Sequence, residues 1–188
     1  MESNKKAFQY GVIATLSITI YNIILILINP EYAFGYAAYL GVVIMIVAMV
    51  MAIKKTKVDN DNYISFKSAF AVIFIIAIIA ALGNIIYSNL IMPIILPNYV
   101  EVIKSVTLKS MDWWFNVFNA PQEARDQALN EVMKKFDSMN EVRIGDQVQA
   151  FFFTTLLNTF IGSVIALFMK SKGEKPKEIE QEVETLVS

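Results

Sequence analysis

Four stretches of the chain contain no Asp, Glu, Lys or Arg: Ala7–Asn29, Tyr32–Ile53, Ser68–Val100 and Gln147–Met169. Each reaches the ~20 residues that a helix needs to cross about 30 Å of hydrocarbon. The third is the longest, and Pro93 and Pro97 should end its regular part near Ile91 or Met92, because proline lacks the amide that continues a helix. The spans are therefore expected at about residues 7–29, 32–53, 66–92 and 147–169. The Ile/Val-rich runs would suit buried strands in composition, but they are too long for strands and lack barrel-like alternation.

The first span also has a competing reading as a secretory signal, with Lys5 and Lys6 as its basic region and Ala33-Phe34-Gly35 as a mimic of a cleavage site. Its apolar run exceeds the ~7–15 residues of a signal core, which favours a retained helix.

Between the third and fourth spans the pattern changes to an outer helical segment over about 98–145. Val100, Ile103, Met111, Trp114 and Phe118 recur at helical spacing with Thr107 in register, while Glu101, Lys104, Lys109 and Asp112 fall largely elsewhere on the wheel. Trp113, Trp114, Phe115 and Phe118 cluster at one end, where aromatic rings suit a membrane interface, a partner or a neighbouring helix. Register with Val100 and Ile103 places Trp114 inward and Trp113 nearer the interface. A second helix is expected near Pro121, with Asn119 and Gln122 in capping-box positions and a stripe of Leu129, Val132, Phe136 and Met139. The fold expected is an all-α, four-helix transmembrane bundle over 1–170, with these two amphipathic helices on the extracytoplasmic face. A polar cytoplasmic tail follows over 171–188.

Composition supports solvation by lipid. Of 188 residues 56% are hydrophobic and only 18% charged, against about 25% charged in soluble domains. Basic residues set the orientation. Lys5 and Lys6 precede the first span, Lys54, Lys55, Lys57 and Lys67 lie between the second and third, and Lys170, Lys172, Lys175 and Lys177 follow the fourth. All three clusters fall on one side, expected to be cytoplasmic, so both termini should be too. The Glu101–Asp146 excursion carries six basic and eight acidic residues, and long translocated segments obey the charge rule weakly.

The candidate chemistry is sparse. Net charge is −1, which gives no general attraction to nucleic acid. There is no cysteine and no histidine, and no glycine-rich phosphate loop. The spans hold no ionisable acid or base of the kind that marks proton paths or catalytic dyads. The outer acids Glu101, Asp112, Glu123 and Asp126 have no site-like spacing and read as a solvated face. No cofactor, metal site or catalytic residue is expected, and the chain does not read as an enzyme.

Small and polar residues recur along the spans. Gly11, Thr15, Thr19 and Asn22 share a face of the first, and Ala37-x-x-x-Gly41 and Ala48-x-x-x-Ala52 occur in the second. Ala80, Asn84 and Ser88 line up in the third beside Ala77, Ala81 and Gly83, and Asn158, Gly162 and Ala166 line up in the fourth. Such faces permit close helix approach and amide hydrogen bonds in lipid. They read as bundle interior; the sharper alternative is a small polar cavity around Asn22, Asn84, Asn89 and Asn158.

Three further stretches occur in a characteristic order. They are Ala52-Ile-Lys-Lys-Thr-Lys running into Asn62-Tyr-Ile-Ser-Phe-Lys-Ser-Ala-Phe; then Tyr87-Ser-Asn-Leu-Ile-Met-Pro continuing to Pro97-Asn-Tyr-Val-Glu; and Pro121-Gln-Glu-Ala-Arg followed by Met133-Lys-Lys-Phe. With four spans, the chain resembles the bacterial membrane family called domain of unknown function 4199 (DUF4199) over nearly its whole length. The resemblance implies an inner-membrane location and a four-span fold, and carries no catalytic residues. Asn62 stands where such proteins often carry glycine, and asparagine tolerates the left-handed turn this suggests. Two functional classes remain open: a non-enzymatic scaffold or assembly partner, acting on a membrane protein or a second copy, and a passive small-solute carrier or lipid-binding protein.

Overall fold

A computed structural model describes residues 2–138 and 144–172. Among them all regular structure is helical: α1 (Glu2–Ile28), α2 (Pro30–Phe34), a 3-10 turn (Tyr36–Ala38), α3 (Tyr39–Val58), α4 (Phe66–Ile86), a π-turn (Tyr87–Ile91), α5 (Met92–Ile95), α6 (Tyr99–Val117), α7 (Gln122–Ser138) and α8 (Ile144–Met169). Four segments are long and apolar enough to cross a membrane: Asn4–Ile28, Tyr39–Val58, Phe66–Ile95 and Ile144–Met169. Met139 of the expected α7 stripe, and the tail from 173 onward, lie outside the described residues.

Helix α4 is the centre of the bundle. It packs most extensively against α8 and α1, and α1 packs in turn against α3. Lipid tails are as apolar as the helices, so association depends on close packing rather than on apolar transfer. The sequence supplies it with small residues: Ala69, Ala77, Ala80 and Ala81 of α4 are all buried. A Cβ added at Gly11 would lie 2.8 Å from Cδ1 of Ile79; one at Gly83 would overlap the Thr15 methyl, and one at Gly162 the Ile73 methyl. Met49, Ile53, Ile64, Ile73 and Ile76 fill the space between these contacts. The outward faces are equally apolar but uncovered, with Phe153, Leu156, Phe160 and Phe168 exposed where acyl chains would lie.

Two contacts gather three lysine-bearing segments at one end of the bundle. Lys6 at the start of α1 pairs with Asp59 in the α3–α4 turn. Beyond α8, the Ser171 amide donates to the Ile64 carbonyl at 2.8 Å, and the Ile64 amide donates to Ser171 Oγ at 3.0 Å. The turn itself passes through Asp61 and Asn62 at φ 54° and 60°, the left-handed region that asparagine tolerates. It enters α4 at Ser65, whose hydroxyl accepts from the Ser68 amide at 3.2 Å and so caps a free helix N–H.

Several element boundaries differ from the sequence expectation. The second spanning helix starts at Tyr39 rather than Tyr32. Asn29 Oδ1 accepts from the Glu31 amide at 3.0 Å, and Pro30 occupies the first turn, so a separate short helix forms and stops at Gly35. At its other end α3 runs past Ile53 through Lys54, Lys55 and Lys57 to Val58. Lysine stems can follow an apolar surface while their heads reach water. The third span does not end at Met92. It opens into the π-turn Tyr87–Ile91, where the Met92 amide donates to the Tyr87 carbonyl, and continues as α5 through Pro93 to Ile95. Asn119 is not an N-cap: its φ is 49°, whereas capping requires extended backbone. It makes the tight turn between α6 and α7.

Candidate functional site

The interior amides do not converge on one chamber. Asn22 of α1 and Asn84 of α4 line a slot of about 50 Å³ together with Thr15 and Thr19. A space of that size holds a few water molecules. Asn89, within the π-turn, faces elsewhere: its Nδ2 donates to Gln147 Oε1 of α8 at 2.8 Å and to the Ile85 carbonyl at 2.8 Å. Asn158 donates to the Thr154 carbonyl of its own helix at 2.9 Å. Gly162 and Ala166, one and two turns further along, are buried. The slot and the Asn89–Gln147 bridge are thus separate features. An interhelical amide bond of this kind contributes only about 0.6 kcal/mol on average in a bilayer.

At the other end of the bundle α6 docks along one face. Tyr99 and Val102 pack on a cluster of Leu25, Ile26, Tyr87, Met92 and Leu96. Further along, Val106, Lys109 and Trp113 face Glu31 and Tyr32 across a cleft of about 510 Å³, which a Lys109–Glu31 ion pair spans at 2.5 Å. Both partners of that pair are substantially exposed, so it orients the helix more than it stabilises it. Trp114 and Phe118 lie off this docked face. Their rings stack with centroids 5.3 Å apart, and they remain 50% and 70% exposed. Trp114 therefore does not pack inward. Apolar periodicity identifies the face of a helix that avoids water, but beside a bilayer that face can meet lipid instead of a neighbouring helix.

Arg125 of α7 fixes the angle of this elbow. Its guanidinium donates to the Ala120 carbonyl at 2.9 Å, to Asn116 Oδ1 at 3.0 Å and to the Phe115 carbonyl at 2.9 Å, and it lies 5.7 Å from the Phe115 ring centroid. The Phe115 carbonyl also accepts from the Ala120 amide at 2.9 Å, so the guanidinium adds a second bond there and ties the last turn of α6 to the connecting turn and to α7. Arg125→Ala should raise amide exchange through residues 116–125 by roughly ten-fold, while leaving the melting of the spanning bundle within about 0.5 kcal/mol. Hydrogen exchange resolved by mass spectrometry, beside a detergent melt, checks both halves. Arg125→Lys should not restore protection, since an ammonium cannot reproduce the planar fork.

Sequence reading gave no role to Arg125, Gln147 or Ser171. Arg125 stands within the Pro121-Gln-Glu-Ala-Arg stretch, which was the available signal; Gln147 and Ser171 act through contacts distant in sequence and left none. Of the outer acids, Asp112 accepts a hydrogen bond from Asn116, four residues on, and Asp126 from Gln122, four residues before it. Among the described residues no three metal-ligating side chains come together.

No curated protein and no solved structure matches the chain. A family model does, described as a protein of unknown function (DUF4199), and it matches residues 8–171. That interval runs from the first turns of α1 to Ser171, and so takes in the first candidate span from Phe8 onward, the other three whole, the α6–α7 elbow and the latch on Ile64. The chain belongs to the DUF4199 family.

Proposed function

We propose that the protein is a non-enzymatic scaffold or assembly partner in the bacterial inner membrane, with both termini cytoplasmic and the α6–α7 elbow outside. The observation that carries this reading is the elbow's aromatic edge. Trp114 and Phe118 form a stacked pair on a helix held in place by its other face, and the chain leaves them uncovered. Large uncovered aromatics on a rigid support are the usual centre of an interface. A solute carrier is less well supported, because the polar slot at Asn22 and Asn84 is far smaller than the roughly 300–1,000 Å³ of ordinary ligand pockets. Affinity capture from membranes in mild detergent tests the proposal. A stoichiometric membrane protein, or a second copy, should be recovered with the wild type, and at least about ten-fold less with a Trp114→Ala/Phe118→Ala variant that melts normally. Equal recovery with that variant, or recovery of the chain alone, would sink it.

A lipid-binding role is the second reading. It is favoured by a long groove between α1 and α3 on the outside of the bundle, closed at one end by lysines.

A further inference from the structure

The groove between α1 and α3 has a volume of about 860 Å³. Its floor is made of small side chains: Ala14 and Ala48 are buried, and Ser17 adjoins them. Its rim is made of large exposed ones, Ile13 on α1 and Val47 and Met51 on α3. Small residues on facing helices have produced a trough here because no third element of the chain covers them. At one end the lining turns basic, with Lys6 and Lys55.

Two observations identify what the trough fits. The first is length. The lining runs from Lys6 to Ser17 on α1 and, antiparallel, from Lys55 to Ile44 on α3. At about 1.5 Å per residue each wall extends roughly 16 Å. That is close to half of a ~30 Å hydrocarbon core, the depth of one leaflet. The second is charge. Asp59 pairs with Lys6 and with Lys55, the latter at 3.7 Å, which gathers both ammonium groups at the mouth. Lys5, Lys54 and Lys57 stand on the same helix ends, against Glu2 at the start of α1 and Asp61 in the adjoining turn as the further acids; five lysines thus stand against three acids. An apolar trough one leaflet deep, with excess positive charge at the membrane boundary, complements a molecule with an acyl chain and an anionic head.

We propose that the α1–α3 groove binds one anionic phospholipid, its acyl chain lying over Ala14, Ser17 and Ala48 and its phosphate at Lys6 and Lys55. The lipid supplies the wall that the bundle lacks on this side. A second copy of the chain would have to bring a complementary acidic group to the lysine end.

Native mass spectrometry of the detergent-purified full chain, with phosphatidylglycerol or phosphatidylcholine added at equal concentration, tests this. The wild type should retain one phosphatidylglycerol in preference to phosphatidylcholine. Lys55→Gln should lower that retention about five-fold, the effect of one lysine at an anionic surface. Ser17→Leu, which fills the floor, should lower retention of both lipids, and Phe160→Leu, away from the groove, should change neither. A measurement independent of variants uses phosphatidylglycerol with a photoreactive group midway along its acyl chain: label should concentrate on residues 8–17 and 44–51 rather than on α8. Equal retention of the two lipids, retention indifferent to Lys55→Gln, label spread evenly onto α8, or a dimer that shields the groove would each overturn the assignment.

Discussion

Gly162→Ala destabilises the bundle by about 1–3 kcal/mol, the usual range for forcing atoms into a packed contact. The added methyl would overlap Cγ2 of Ile73 on α4. Ile73 is buried and β-branched, so its χ1 has little freedom to move the methyl away. Relief must come from separating α8 from α4, the most extensive helix pair in the fold. Ile73→Ala alone also destabilises, by leaving a cavity of its own. The double variant Gly162→Ala/Ile73→Ala removes the overlap, so its loss should fall short of the sum of the single losses by about 1 kcal/mol or more. Unfolding in mixed micelles with increasing dodecyl sulfate measures all three. Strict additivity would mean that the two residues do not touch.

Met49→Ala costs about 2–5 kcal/mol, whereas Phe168→Ala costs less than about 0.5 kcal/mol, although the second deletes the larger side chain. Met49 is fully buried in the core around α3, while Phe168 on α8 is 85% exposed. Within a bilayer, a side chain that faces lipid in the bundle also faces lipid when the helices separate, so truncating it changes little. A side chain enclosed by neighbouring helices loses those contacts outright. The same dodecyl sulfate titration should separate the two variants clearly. Comparable losses would show that the surface bearing Phe168 is covered by protein.

These contrasts show what could be read from the sequence. The spans are legible because long charge-free runs have almost no alternative use: backbone in lipid must satisfy itself, and a helix does so locally. Ala77, Ala81 and Gly83 are legible as contact points because only small residues let helix backbones approach. The partner of each contact is another matter. That Gly83 meets Thr15 and Gly11 meets Ile79 depends on relative depth and rotation, which one helix's periodicity does not contain. The interior amides show this most clearly. Asn84 and Asn89 lie five residues apart, about 140° around a regular helix, and the π-turn at Tyr87 alters that angle; Asn89 meets Gln147 while Asn84 stays beside Asn22. A π-turn adds one residue to a helical turn and leaves no compositional mark. The apolar stripe of α6 was visible, but its direction was not, since periodicity alone does not say whether Trp114 meets another helix of this chain or lies on its outer surface.

The arrangement of the chain across the membrane is tested most directly by single-cysteine labelling, which is clean because the native chain has no cysteine. Cysteine would replace Lys57, Lys172 or Gln127 in turn, in the full chain expressed in intact bacterial cells, and be treated with a membrane-impermeant thiol reagent. The Lys6–Asp59 pair and the Ser171–Ile64 latch bring positions 57 and 172 to the same end of the bundle, and position 127 lies on α7. The account predicts labelling at 127 in intact cells and at 57 and 172 only after permeabilisation. Labelling at 57 and 172 with none at 127 would invert the orientation. Labelling at 57 but not at 172 in intact cells would contradict the four-span fold itself.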